Sequence, residues 1–159
     1  MQRKRLLRSA AVLGVAALLV TGCGDDGEDG GTDTEGLTPP DIPAATAIGD
    51  PEGQVNILAW PGYAEKQWVK PFEESTGCKA DVQYFGTSDE AVQLFQSGQF
   101  DVVSASGDAS LRLIYGGDVA PVNTDLVDSY AQIFDDLKMK PWNSVDGVSY
   151  GIPHGRGAN

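Results

Sequence analysis

The sequence has few of the residues from which metal sites and nucleic-acid surfaces are built. Its 159 residues include 2 cysteines and 1 histidine, and 11 basic residues against 23 acidic ones give a net charge of −12. Two cysteines form neither a disulfide-stapled scaffold nor a four-cysteine zinc site, and one histidine precludes a site built from several. Because nucleic-acid binding needs clustered Lys and Arg, the acidic balance argues against it. The chain is nevertheless 41% hydrophobic, which suffices for a globular core.

Catalytic motifs are also missing. There is no Gly-x-Ser-x-Gly elbow, and residues 104–107 (Ser-Ala-Ser-Gly) have no identifiable general base nearby in the sequence. Cys78 lies beside Gly77 at a predicted helix end, where a small buried side chain is a simpler interpretation than a nucleophile. We therefore expect no enzyme, no catalytic residue, no cofactor and no metal.

The first 22 residues have the pattern of a secretory signal peptide. Four basic residues fall within the first eight positions, and an apolar run follows over residues 10–20. Eleven residues are too few for a spanning helix, which needs ~20. The sequence thus predicts export.

The end of this segment resembles a bacterial lipobox. Val20-Thr21-Gly22-Cys23 places a small residue before a cysteine where the apolar run stops. The resemblance implies cleavage before Cys23, lipidation of its thiol, and stable anchoring to the outer face of the membrane by several acyl chains. A chance cysteine near an ordinary cleavage site is the alternative.

Residues 23–53 are predicted to be a solvated tether after the lipidated cysteine. From residue 24 to residue 53 the chain has nine acids, seven glycines, no basic residue and no aromatic residue. Such a segment buries too little apolar surface to offset the entropy of ordering, so we expect a disordered, acidic, glycine-rich tether.

Strand and helix patterns alternate over residues 54–159, which we take as the globular head. Strands are predicted at residues 54–59, 79–85, 100–104 and 119–122, and helices at residues 64–76, 87–98, 106–117 and 124–138. Thr87-Ser-Asp-Glu90 predicts a capping box at the start of the second helix, and Asp146-Gly147 predicts a hairpin turn. The alternation indicates an α/β fold with a mainly parallel sheet and flanking helices, whose ligands bind beyond the carboxyl ends of the strands.

The segments at those strand ends resemble a known family. The sequence Val55-Asn-Ile-Leu-Ala-Trp60-Pro-Gly-Tyr63 precedes Phe100-Asp-Val-Val-Ser104-Ala-Ser106 with the order and spacing of extracytoplasmic solute-binding proteins of ABC importers. The spermidine/putrescine-binding branch is the most similar. The resemblance implies a periplasmic-binding-protein-like (type II) lobe, and since family members are longer, we expect a truncated first lobe with the second lobe largely missing.

The resemblance also implies binding roles for individual residues. Trp60 and Tyr63 match an aromatic pair that packs on polyamines, although Trp60 could instead fill the core of the lobe. Ser106 matches a hydrogen-bonding serine, with a plain turn serine as the alternative. Asp108 stands where the branch has an aromatic residue, so it could bind an amine or cap the helix.

Other features weaken the polyamine assignment and leave alternatives open. Pro61 and Gly62 replace polar or acidic residues of the polyamine binders, and Arg156 suits a carboxylate or phosphonate unless it pairs with an acid of the chain. We expect a monomeric lipid-anchored receptor that delivers a polyamine to an ABC permease. An anionic amine such as an aminophosphonate, or a structural surface lipoprotein without a small ligand, are the other interpretations.

Overall fold

A three-stranded parallel sheet forms the centre of the fold. A computed structural model describes residues 36–154, in which β1 (Gln54–Ala59) lies between β2 (Lys79–Tyr84) and β3 (Val102–Val103). All six residues of β1 pair with β2, from Gln54 opposite Lys79 to Ala59 opposite Tyr84. This small α/β fold, with a parallel sheet and helices, confirms the general fold class predicted from the sequence.

Three helices connect and follow these strands. They are α1 (Lys66–Thr76), α2 (Ser88–Phe95) and α3 (Gly107–Gly116). Helix α1 begins two residues later than predicted and continues through Pro71. It ends at Gly77, whose φ of 72° is the left-handed conformation that glycine adopts without steric cost.

The predicted capping box at the start of α2 is present in modified form. The Thr87 side chain accepts a hydrogen bond from the Glu90 backbone N–H at 3.1 Å, as predicted. The Glu90 carboxylate accepts instead from the N–H of Gly86, at 2.8 Å, one residue before the cap. The two bonds fix where the chain turns from β2 into α2.

The prediction of one helix over residues 124–138 is wrong. The segment forms three separate 3-10 turns, Thr124–Leu126, Asp128–Gln132 and Asp135–Leu137. Extended residues at Val127 and Ile133 interrupt them, and the Asn123 side chain bonds the Asp125 N–H. The Asn123 side chain caps only the first short turn, so the helical spacing of apolar residues did not suffice to predict one continuous helix.

Two predicted strands also differ from the structure. Residues 119–122 form no strand, and Val122 donates one backbone bond to the Ser149 carbonyl at 2.7 Å. The neighbouring Pro121 has no N–H to extend this pairing. The strand predicted at residues 100–104 is reduced to Val102–Val103.

The hairpin prediction is confirmed. Strands β4 (Ser144–Val145) and β5 (Val148–Ser149) are antiparallel, and the turn residues Asp146 and Gly147 have φ of 50° and 79°. Two consecutive positive φ angles define a type I′ turn, whose twist matches that of the flanking strands.

The core lies between the sheet and helices α2 and α3. Leu58 and Ala91 are fully buried and Leu113 is nearly so. The other members of the buried cluster are Phe85, Val92, Phe95 and Ala109. The end of β1 is thus the best buried part of the sheet, and it leads directly into the loop that contains Trp60.

Part of the predicted tether contacts the head. The Asn123 side chain donates to the Ala45 carbonyl at 3.1 Å, and Pro40 lies so close to Gly117 that an added Cβ there would be 2.9 Å from it. Pro39, Ile42 and Ala44 are half-buried. Composition alone does not predict these contacts, because they depend on surfaces formed by distant residues.

Leu58→Ala tests the position of the core. Leu58 is fully buried in the central strand, so the substitution should lower the free energy of unfolding by about 2–5 kcal/mol, as measured by urea denaturation. Leu37, which is 57% exposed, provides the control, and Leu37→Ala should change stability by less than about 0.5 kcal/mol. Equal effects of the two changes would contradict this description of the core.

Candidate functional site

The segments that follow β1 and β3 meet in a cavity at the carboxyl edge of the sheet. Trp60 follows β1 directly, and residues 104–106 follow β3. The Ser104 N–H continues the ladder by bonding the Leu58 carbonyl at 2.8 Å, which holds the two loops side by side. The cavity has a volume of about 240 Å³, and its lining includes three predicted residues, Trp60, Tyr63 and Ser106.

Trp60 contacts both the core and the cavity. Its ring lies 4.6 Å from that of Phe85, with an interplanar angle of 57°, and Phe85 is 3% exposed. Trp60 itself is half-buried and lines the cavity. Trp60 therefore packs against the core and also forms part of the cavity wall. Phe85 fixes the orientation of the Trp60 ring.

Tyr63 forms another part of the wall and packs against His154. Its backbone N–H bonds the Trp60 carbonyl at 3.2 Å, closing a tight turn through Gly62, whose φ is 94°. The Tyr63 and His154 rings are 4.5 Å apart at an angle of 55°. Tyr63 is 42% exposed, so its ring is available at the mouth of the cavity.

Ser106 belongs to a hydrogen-bonded group that connects the starts of α2 and α3. Its hydroxyl donates to Asp108 Oδ1 at 2.7 Å and lies 2.8 Å from the hydroxyl of Ser88, which is 3.2 Å from the same carboxylate oxygen. Asp108 does not line the cavity, so it is separated from it by Ser106. Ser88 was not predicted as a site residue.

The pKa of Asp108 is lower than the ordinary aspartate value of 3.8. Desolvation is the largest single effect and raises this pKa, but hydrogen bonds from Ser106, Ser88 and nearby backbone N–H groups together outweigh it. Asp108 is therefore a carboxylate at neutral pH and places a negative charge behind the Ser106 hydroxyl.

The opposite wall comes from the hairpin region, most of which was not identified from the sequence. Residues 150–154 line the cavity. Trp142 and Asn143 were not predicted, although they also line it. An available signal was that aromatic residues 142 and 150 flank the predicted turn at residues 146–147.

The described lining is aromatic, apolar and neutral-polar. Within residues 36–154, no Lys, Arg, Asp or Glu side chain lines the cavity, and His154 is its one titratable base. Asp108 is the acid linked to the lining through Ser106. Cys23 and Arg156, which the sequence also indicated as functional, lie outside the described residues.

A comparison with known protein families gave no match to any family model. The chemistry of the cavity must therefore be inferred from its own residues.

Gly107→Ala tests the packing of the two walls. A Cβ at Gly107 would lie 2.9 Å from Trp142 Cβ, so alanine should displace Trp142, shift tryptophan fluorescence and lower the free energy of unfolding by about 1–3 kcal/mol. Gly49 has open space around it and serves as the control. An unchanged spectrum in Gly107→Ala would contradict the close approach.

Proposed function

We propose that the protein is a lipid-anchored solute-binding receptor of an ABC importer that captures a polyamine and delivers it to a permease. The main observation in support is the cavity at the carboxyl edge of a parallel sheet, which combines the aromatic residues Trp60 and Tyr63 with a serine backed by a carboxylate. Parallel α/β sheets bind ligands at this edge.

The lining favours an amine-bearing cation with an aliphatic chain. Aromatic faces attract cations and also cover methylene groups, so Trp60 and Tyr63 suit both parts of a polyamine. Asp108 contributes a nearby negative charge through Ser106. Within residues 36–154 no Lys or Arg lines the cavity to repel a cation.

Capture without chemistry accounts for the polar groups better than catalysis does. The Ser106 hydroxyl donates directly to a carboxylate that stays charged, and no intervening histidine is available to activate it. The His154 ring packs against Tyr63 at a tilt of 55°, and no hydrogen bond joins it to Ser106 in the described residues. We infer that the serine serves recognition.

The cellular setting of the proposal comes from the sequence. The signal-peptide pattern and the Cys23 motif support export and attachment to the outer face of the membrane, with the acidic tether as a spacer. Among the helices of residues 36–154, none is long and apolar enough to cross a bilayer. We also propose that the head is part of a type II lobe, and the β2-β1-β3 parallel sheet is compatible with this architecture.

An anionic amine is the second candidate ligand. Arg156 is two positions after His154, the last of the cavity-lining residues 150–154. A guanidinium near the cavity would favour a carboxylate or phosphonate group. A structural lipoprotein without a ligand is the third interpretation, although it gives no role to the exposed Tyr63 ring.

Isothermal titration calorimetry of the full-length protein tests the proposed ligand. Putrescine or spermidine should give saturable heat, and Trp60→Ala should weaken binding by on the order of tenfold, since it removes one aromatic wall. Trp68, which is 62% exposed on α1 and outside the cavity, is the matched control, and Trp68→Ala should bind normally.

Three outcomes would contradict the proposal in different ways. Binding of an aminophosphonate without any polyamine binding would favour the anionic alternative. No binding of either class would favour the structural lipoprotein. Normal polyamine binding by Trp60→Ala, with thermal unfolding unchanged, would remove Trp60 from the site.

Processing of Cys23 tests the membrane attachment. Inhibiting lipoprotein signal peptidase should leave the signal peptide attached, and Cys23→Ser should abolish incorporation of labelled fatty acid. Cys78→Ser is the matched control and should incorporate the label normally, because Cys78 lies within the head. Normal maturation under inhibition would contradict lipidation at Cys23.

A further inference from the structure

The Ser106 hydroxyl donates its proton within the protein and not to a molecule in the cavity. A serine hydroxyl has one proton to donate and two lone pairs to accept with. The 2.7 Å bond to Asp108 Oδ1 uses the proton, and a charged acceptor makes such a bond short and strong. Ser106 therefore has acceptor capacity, and no second proton, for a molecule in the cavity.

Helix capping does not consume this acceptor capacity. Ser106 occupies the N-cap position of α3, yet its side chain makes no capping hydrogen bond. The Ser106 oxygen is therefore not occupied by a backbone N–H of α3 and stays available as an acceptor.

Ser88, the first residue of α2, hydrogen-bonds to both Ser106 and Asp108. Its hydroxyl lies 2.8 Å from Ser106 Oγ and 3.2 Å from Asp108 Oδ1, so its proton can go to either oxygen. Either serine could be the donor in the contact between the two hydroxyls. Whether Ser106 donates to Asp108 or to Ser88, its proton is used within this group, and Ser106 keeps at least one unused lone pair. Ser88 does not cap α2, since Thr87 does so.

We propose that Asp108 and Ser88 are positioning residues that make Ser106 a hydrogen-bond acceptor toward the cavity, so that the site prefers charged N–H donors to neutral hydroxyls and to solutes that can only accept. This deepens the proposed function and rests on it. The aromatic walls supply affinity for many small organic molecules. The Ser106 oxygen and the negative charge of Asp108 determine which of these molecules bind most tightly.

Three probes of similar length test this selectivity. Putrescine carries two ammonium donors, 1,4-butanediol carries neutral hydroxyls, and succinate carries carboxylates that only accept. The full-length protein should bind them in that order of decreasing affinity, measured by calorimetry or by tryptophan fluorescence. The ratio of putrescine to butanediol affinity is the main readout, because general damage to the cavity would weaken both.

Asp108→Asn should lower the putrescine affinity by about tenfold, since a charge-assisted interaction is lost. The butanediol affinity should change by less than about threefold, so the ratio falls. Asp89→Asn is the matched control. Asp89 is the second residue of α2, as Asp108 is of α3, but its carboxylate accepts from Arg112 and does not bond Ser106. Asp89→Asn should therefore leave the ratio of putrescine to butanediol affinity unchanged.

Changes at the two serines complete the test. Ser106→Ala should lower the ratio as Asp108→Asn does, and Ser106→Thr should restore it because the hydroxyl is retained. Ser88→Ala should have a smaller effect in the same direction, since Ser106 keeps its bond to Asp108.

The outcomes separate this inference from the proposed function. If the unmodified protein binds putrescine but Asp108→Asn keeps the ratio, the selectivity mechanism is wrong and the receptor function stands. If succinate binds as well as putrescine, the acceptor role of Ser106 is also wrong. If the unmodified protein binds none of the probes, the proposed function fails, and the inference fails with it.

Discussion

The parallel pairing of β1 with both of its neighbours is the constraint on which the rest of the structure depends. Six residues of β1 pair with β2, and Ile57 and Leu58 pair with β3. Asp101 strengthens the second pairing, because its carboxylate accepts from the backbone and side-chain nitrogens of Asn56 at 2.8 and 3.1 Å. Parallel strands end at the same edge, so this pairing brings Trp60 and the Ser104–Ser106 loop together and creates the cavity.

Burial of the core orients the cavity walls. Phe85 follows β2, is nearly fully buried, and supports Trp60 from behind. The same packing brings the start of α2 beside the start of α3, which places Ser88 within hydrogen-bond distance of Ser106 and Asp108. Core packing and site geometry therefore depend on the same side chains, and the polar group keeps its geometry because the helices on both sides of it are fixed.

Prediction from the sequence succeeded where the signal was local. Gly77 as a helix end, Thr87 as a cap and Asp146-Gly147 as a turn were all confirmed, because each rests on the conformation of one to four residues. The helix predicted over residues 124–138 is wrong because apolar spacing does not reveal where the backbone becomes extended, as it does at Val127 and Ile133. Of the predicted ligand-binding residues, Trp60, Tyr63 and Ser106 line one cavity, whereas Asp108 lies behind Ser106.

The sequence by itself determined the alternation of strands and helices from residue 54 to residue 117, the acidic charge, and the strand ends at which to look for a site. It also contained the motif at Cys23 on which the expected membrane attachment rests. Only the tertiary structure decided that Ser88 joins Ser106 and Asp108, that His154 packs against Tyr63, and that Trp142 lines the opposite wall. Residue 88 is 18 positions from residue 106, and no local sequence pattern encodes a hydrogen bond between side chains so far apart in the chain. This hydrogen bond depends on distances that are set when the helices pack against the sheet.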